Sequence, residues 1–203
     1  PHTLAPEERP LIPAYRNSRG GDARVLTTPP PFAVRTMAEW EEVQQLVITW
    51  TSYTGILKQI VRAAKEEVEV IIVCDDPGAV TSTLLNGSFG GPLDDMQNIT
   101  FLNAEFNSIW VRDFGPESIY ANEVDSLYLL DWIYNRPRPD DDALSAVLAE
   151  QLGLEVYSTS TAPYDLVHTG GNFMSDGFGT AFSSELVDEE NGPMLVIPGS
   201  HKD

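Results

Sequence analysis

Cysteine is almost absent: Cys74 is the only one in 203 residues, so no intramolecular disulfide can form and the redox compartment stays undecided. Basic residues are scarce as well, with 12 Lys and Arg against 31 Asp and Glu, a formal net charge of −19. Such a field repels phosphate backbones and anionic lipid surfaces, which argues against nucleic acid and against a membrane as partners. It attracts cations instead, such as arginine-bearing peptides or polyamines, although an acidic surface equally serves solubility, secretion or a salty habitat. No run of about 18 apolar residues and no charged-then-apolar N-terminal segment is found, so neither a membrane span nor an intact signal peptide is expected. The chain starts at Pro1 rather than Met, as a processed or trimmed chain would. No repeat period stands out in the letters. What the chain does have is 42% hydrophobic residues, enough for a buried core in one or two domains.

Residues 1–31 are rich in Pro, Arg and Gly and end in Pro29-Pro30-Pro31, which cannot join a sheet interior; they read as an arm or linker, with a domain over 32–203. The run Leu46–Trp50 has the length and branching of a buried strand. Ile56, Leu57, Ile60, Val61 and Ala64 then recur at helical spacing, with Thr54 as the expected N-cap and Lys58, Arg62 and Lys65 facing water. Val68–Cys74 follows as a strand, closed by Asp75-Asp76-Pro77-Gly78. A helix near Ala79–Leu85, a Gly-rich turn over Gly87–Pro92 and a strand at Ile99–Leu102 come next. Glu117–Tyr120 and Ser126–Ile133 read as a hairpin. A helix marked by Ala143, Val147, Leu148 and Leu152 is stopped by Gly153 ahead of a strand at Leu154–Tyr157. The alternation indicates an α/β architecture of repeated small units.

The stretch Glu105–Glu117, EFNSIWVRDFGPE, carries the densest chemistry. It sets Trp110, Arg112 and Asp113 directly before a Phe114-Gly115-Pro116 turn signal. A carboxylate on a short loop beside an aromatic wall suits a planar guanidinium, accepting two parallel N–H bonds while the ring covers the apolar stem. The alternative is that Arg112 and Asp113 merely pair with neighbours. In NRPRP, Pro137 and Pro139 stiffen the segment that carries Arg136 and Arg138, and two fixed Arg forks suit one carboxylate; the alternative is that they neutralise Asp140-Asp141-Asp142. Paired glycines in His168-Thr169-Gly170-Gly171-Asn172 permit positive φ and close backbone approach, presenting Asn172 from a tight turn. Asp176-Gly177 reads as a turn. Cys74 ends an apolar strand, where a thiol is usually buried with a raised pKa, and Asp75 and Asp76 oppose its ionisation.

Taken together, MAEWEEVQQLVITW, SIWVRDFGP, DWIYNRPRP and DLVHTGGNFMSDGFGTAFSSELVDEEN resemble the N-terminal half of the bacterial peptidylarginine deiminases, relatives of the agmatine deiminases, from roughly Thr36 to Asn191. The resemblance implies part of an α/β propeller of ββαβ units, the pentein type, incomplete in this chain. It implies that Asp113 binds the substrate guanidinium with Trp110 lining the pocket, and that Arg136 and Arg138 clamp the α-carboxylate of a C-terminal arginine, a group agmatine lacks. Asn172 lies in the matching glycine-pair segment near the pocket. The family's reaction makes citrulline and ammonia through a Cys thiouronium intermediate and requires no metal or organic cofactor. Its catalytic histidine belongs to a separate His-x-Asp motif, so His168 is expected to be a structural hydrogen-bonding residue. That motif and the nucleophilic cysteine have no match here; His201-Lys202-Asp203 has the letters but comes too soon, so no catalytic residue is assigned. The chain reads as one portion of a deiminase completed by another segment, or as an arginine-binding module without chemistry. A third reading is an inactive remnant whose uncovered edges drive self-association. Agmatine is the alternative substrate. The family's habits and the acidic balance are compatible with a secreted or periplasmic location.

Overall fold

The structure, a computed structural model, describes residues 4–18, 24–122 and 124–192; His201-Lys202-Asp203 lies outside them. In chain order the elements are α1 (Ile12–Ser18), β1 (Val25–Leu26), β2 (Val34–Thr36), β3 (Gln45–Thr49), α2 (Thr54–Ala64), β4 (Glu69–Cys74), α3 (Pro77–Leu85) and β5 (Ile99–Asn103). There follow α4 (Val111–Phe114), β6 (Glu117–Ala121), β7 (Ser126–Tyr134), α5 (Pro139–Leu152), β8 (Val156–Thr159), β9 (Val167–His168), β10 (Met174–Ser175), β11 (Ala181–Phe182) and α6 (Leu186–Asn191).

Two main sheets result. Strands β3, β4 and β5 form a parallel sheet in that order, as strand–helix–strand connections require. Val70, Ile72 and Cys74 point from one face of β4 into a core with Leu57, Val61, Val80 and Leu84 of α2 and α3. Ile71 and Val73, one residue out of phase, point to the opposite face and meet Phe114, Leu144 and Leu148, so β4 is buried on both sides and reads as a continuous apolar run. The second sheet runs β1-β8-β7-β6-β2, with β9 pairing to the end of β7. Helix α5 also covers this sheet, where Ala149 packs on Leu129 and Val156, and therefore links the two units. Gly153, at φ 66°, ends α5 as its position suggested. The β6–β7 hairpin forms as read, Glu117 facing Leu130 and Ala121 facing Ser126. Asp176 caps the β10–β11 turn by accepting from the backbone N–H groups of Phe178 (2.7 Å) and Thr180 (3.0 Å).

Some local expectations change. Thr54 is the first helical residue of α2 rather than its cap, and Tyr53 precedes it at φ 61° without a side-chain capping bond. The cations of α2 do not simply face water. Lys58 is fully buried and its Nζ donates to the carbonyls of Thr83 (2.8 Å), Asn86 (2.9 Å) and Ser88 (3.0 Å). Arg62 donates to Gly91 and Pro92 carbonyls, and Lys65 pairs with Asp95 at 2.9 Å. These cations hold the Gly-rich loop after α3, whose carbonyls have no strand or helix to satisfy them. Conversely, Ile56 and Ile60 are exposed. In the N-terminal stretch, Tyr15 of α1 packs on Ile133 and Val167, and β1 pairs with β8 in parallel. Replacing Lys58 with Met would leave three partly buried carbonyls without their donor; we expect the thermal midpoint to fall by roughly 5 °C, measured by calorimetry, whereas an unchanged midpoint would mean that water satisfies the loop equally well.

Candidate functional site

Asp113 sits on a single helical turn, α4, rather than on an open loop. Its backbone N–H donates to the Trp110 carbonyl (2.8 Å), and Gly115 closes the turn by donating to Val111 (2.7 Å). Pro116 follows and forbids continuation. The loop leading in is fixed by the aspartates at the start of α5. Asp141, fully buried, accepts from the backbone N–H groups of Asn107 (2.7 Å) and Ser108 (2.9 Å) and from the Ser108 hydroxyl (2.6 Å). Asp140 bonds the Asn107 amide (2.6 Å), while Asp142 caps the end of β7 by accepting from Tyr134 N–H (2.8 Å). The acidic run thus stabilises the N-terminus of α5 and positions the segment that presents Trp110, which remains 48% exposed.

Behind α4 lies the glycine pair, as a 3-10 turn over Gly170–Asn172. Neither Gly170 nor Gly171 has the positive φ that the sequence permitted; both are there for space. A Cβ on Gly170 would collide with the Arg112 carbonyl oxygen, and one on Gly171 with the Asp113 carboxylate. Residues 58 positions apart are brought into contact by this absence of side chains. Arg112 points away from Asp113: it pairs with Glu39 and donates to the Phe173 carbonyl at 3.3 Å. Among the described residues the Asp113 carboxylate has no hydrogen-bond or ion-pair partner. So the neighbour-pairing alternative holds for Arg112 and not for Asp113.

Asn172 accepts from Ser184 N–H (3.0 Å) with its side-chain oxygen and from the Ser183 hydroxyl with its backbone carbonyl. Its Nδ2 is buried without a hydrogen bond among the described residues. His168 is buried, with edge-on ring contacts to Trp132 (5.2 Å between centroids) and Phe173 (6.0 Å). Among the described residues its Nδ1 makes no hydrogen bond, so what the structure shows there is a packed ring rather than the hydrogen-bonding residue expected. Burial lowers its pKa to about 4, which keeps the imidazole neutral. Cys74 is buried in the parallel-sheet core, and burial, followed by Asp75 and Asp76, raises its pKa.

Arg136 and Arg138 flank Pro137 immediately before α5, which Pro139 opens instead of extending the loop. Both converge on one carboxylate, that of Glu8: Arg136 at 3.3 Å and Arg138 at 3.8 Å. Asp140, Asp141 and Asp142 have the partners given above. Tyr134, absent from the sequence reading, ties these groups together. Its ring packs edge-on to Phe114 (5.8 Å), and burial raises its pKa to about 12, with the charges of Arg138, Asp113, Asp141 and Arg136 all felt at its hydroxyl. Glu117 is the other group missed. It lies on the wall of a cleft of about 940 Å³ whose floor includes Leu46, Leu129, Leu144 and Leu148; burial raises its pKa to about 7 against the opposing pull of Arg112. Neither had a signal in the letters, since a strand-end Tyr or Glu is ordinary.

The arrangement of sheets and helices is the mixed α/β fold of the deiminases: C. jejuni agmatine deiminase superimposes with a TM-score of 0.61 at 23% identity, over 78% of this chain and 48% of that one. The partial pentein-type fold implied by the sequence resemblance is the fold found, without a closed barrel. Residues 35–191 match the model of the Porphyromonas-type peptidyl-arginine deiminases, and the chain belongs to that family. The match coincides with the limits read from the motifs. Provisionally named agmatine deiminases are similar to it: that of Lactococcus lactis subsp. lactis is 26% identical over 83% of this chain and 49% of its own length. That of Enterococcus faecalis is 31% identical over 48% of this chain and 28% of its own length. The chain therefore spans half or less of the length of these relatives. The family and its relatives are guanidino-group deiminases, hydrolases of guanidino C–N bonds.

Alanine at the two glycines should separate their roles. Gly170→Ala meets backbone and should cost about 3 kcal/mol, whereas Gly171→Ala meets a carboxylate that can swing aside and should cost about 1 kcal/mol; urea unfolding of both variants measures the difference, and equal costs would refute it. A second expectation concerns pH. Because the folded pKa of His168 lies below its ordinary value, its contribution to stability is complete above pH 6.5 and is lost as pH falls through about 4. Between pH 7 and 4.5 the native protein should lose roughly 2 kcal/mol more than His168→Phe, measured by denaturant unfolding at both pH values; parallel losses would contradict burial of a neutral imidazole.

Proposed function

We propose that this chain is the guanidinium-binding portion of a peptidylarginine deiminase that converts arginine, preferentially with a free C-terminal carboxylate, to citrulline and ammonia. One observation carries the reading: among the described residues Asp113 is a carboxylate without a partner, on a closed turn that starts at the half-exposed Trp110. A carboxylate that takes no donor from the protein keeps its acceptor sites for a ligand, and a planar guanidinium supplies two parallel N–H bonds. Arg136 and Arg138 receive the α-carboxylate, Trp110 covers the aliphatic stem, and Asn172 contributes its unused amide hydrogens.

In this mechanism a thiolate from a completing segment, not from these 203 residues, attacks the guanidinium carbon. A histidine protonates the departing nitrogen, ammonia leaves, and a thiouronium ester remains. Water, deprotonated by the same histidine, adds to that carbon; the carbon–sulfur bond breaks, releasing citrulline and restoring the thiol. Asp113 acts throughout by holding the cation in line for attack. Cys74 takes no part, since its thiol is protonated and enclosed. Agmatine is the second reading, favoured by the names of the relatives, and differs in leaving the Arg pair without a substrate carboxylate.

The test is calorimetric titration with a short peptide ending in arginine, together with citrulline release. Asp113→Asn should weaken peptide binding on the order of a hundredfold while the far-ultraviolet spectrum stays unchanged. Equal affinity of the variant would remove the assignment. Preference for agmatine over the peptide would favour the second reading.

A further inference from the structure

The two arginines proposed to receive a substrate carboxylate already hold one. We infer that Glu8 is an intramolecular competitor for the Arg136–Arg138 site and so a determinant of substrate class; the inference rests on the function proposed above.

The Glu8 carboxylate is placed rather than incidental. Its Oε2 accepts from the Ala5 backbone N–H at 2.9 Å and from Arg136 at 3.3 Å, while Oε1 lies 3.8 Å from Arg138. The surrounding chain is a tight structure of its own: Glu8 N–H donates to the Ala5 carbonyl, and Leu11 N–H donates to the Glu8 carbonyl, each at 3.0 Å. Seven residues on, Tyr15 is buried against Ile133 and Val167, so this segment is anchored on the same end of β7 that leads to Arg136. The Arg136 side chain is only 7% exposed and that of Glu8 21%, a setting in which an ion pair is less screened than at an open surface.

A carboxylate in that place does two things. It offsets one of the pair's two positive charges and takes the acceptor position between them, so that a substrate ending in a carboxylate must displace Glu8 before it can be clamped. A substrate without a carboxylate, such as agmatine or an amidated or internal arginine, needs no such displacement. With Glu8 seated, its affinity for carboxylate-ended ligands is reduced by the fraction of molecules in which the site is open. Glu8 therefore narrows the gap between the two substrate classes, and movement of the 4–18 segment widens it.

The experiment compares the native chain with Glu8→Gln in calorimetric titrations against one arginine-ended peptide in free-carboxylate and amidated forms. Glu8→Gln should tighten binding of the free-carboxylate peptide by about tenfold if the seated state holds about nine-tenths of the molecules, and leave the amidated peptide's affinity unchanged. Glu8→Ala, which removes the side chain, should do the same. If both peptides bind and neither variant alters their ratio, Glu8 does not compete and the inference is overturned, with the proposed function intact. If neither peptide binds the native chain or the variants, the proposed function falls and the inference with it.

Discussion

The site depends on one steric constraint, the contact of the glycine pair with the turn that carries Asp113. Two segments, one around residue 113 and one around residue 171, occupy the same small volume because neither Gly170 nor Gly171 has a Cβ to keep them apart. From that contact the remaining geometry follows. The 3-10 turn is held in place by β9, whose pairing of Ile133 with Val167 and Tyr134 with His168 aligns the end of β7 with α4. Tyr134 and Phe114 then meet edge to face, and the loop carrying Arg136 and Arg138 emerges beside the Asp113 turn. A packed interior admits few such close approaches, which is why small changes at these two positions are expected to propagate.

Acidic residues in this chain have more than one use, and net charge conceals the distinction. Asp140, Asp141 and Asp142 stand in the first turn of α5, where the helix dipole and unpaired N–H groups favour them. They also satisfy the backbone at residues 107–108 and 134. Their charge is therefore consumed in structure. Asp113 is different: the same residue type on a neighbouring turn, with none of these bonds. What separates a structural carboxylate from one available to a ligand is its supply of donors, and that is set by tertiary placement.

Much of the fold was legible because it follows from local periodicity. The strands β3 and β4, the apolar spacing of α2, the β6–β7 hairpin and the Gly153 stop each need only neighbouring residues for their definition. The guanidinium-site candidate was legible as a cluster of Trp, Arg and Asp, since that combination is chemically unusual within four positions. Other features depended on distant partners. Lys58 looks like a solvent-facing cation on its helix, but the carbonyls that enclose it belong to residues 83–88. Spacing on α2 cannot reveal them. The glycines at 170 and 171 were read for positive φ and for close backbone approach; only the second applies, and the letters do not show that the turn they approach lies more than 50 residues earlier. Glu8 lay in a segment read as an arm, and nothing in its neighbours indicates two arginines about 130 positions away.

Seen as charges, the site is asymmetric. The element proposed to bind a cation, Asp113, is open, and the element proposed to bind an anion is occupied by the protein itself. That asymmetry has a physical basis in the cost of leaving each group bare. An arginine such as Arg136, nearly enclosed, needs an acceptor in the resting protein, and the N-terminal segment supplies one. Asp113, partly solvated at the edge of α4, can remain unpaired because water reaches it. A ligand with a guanidinium at one end and a carboxylate at the other would thus meet two unlike tasks, simple docking at Asp113 and exchange at the arginines. On the proposed reading, the energy gained at the second is only the difference between its own carboxylate and that of Glu8, so discrimination at this end would come from how firmly residues 4–18 are seated rather than from the arginines alone.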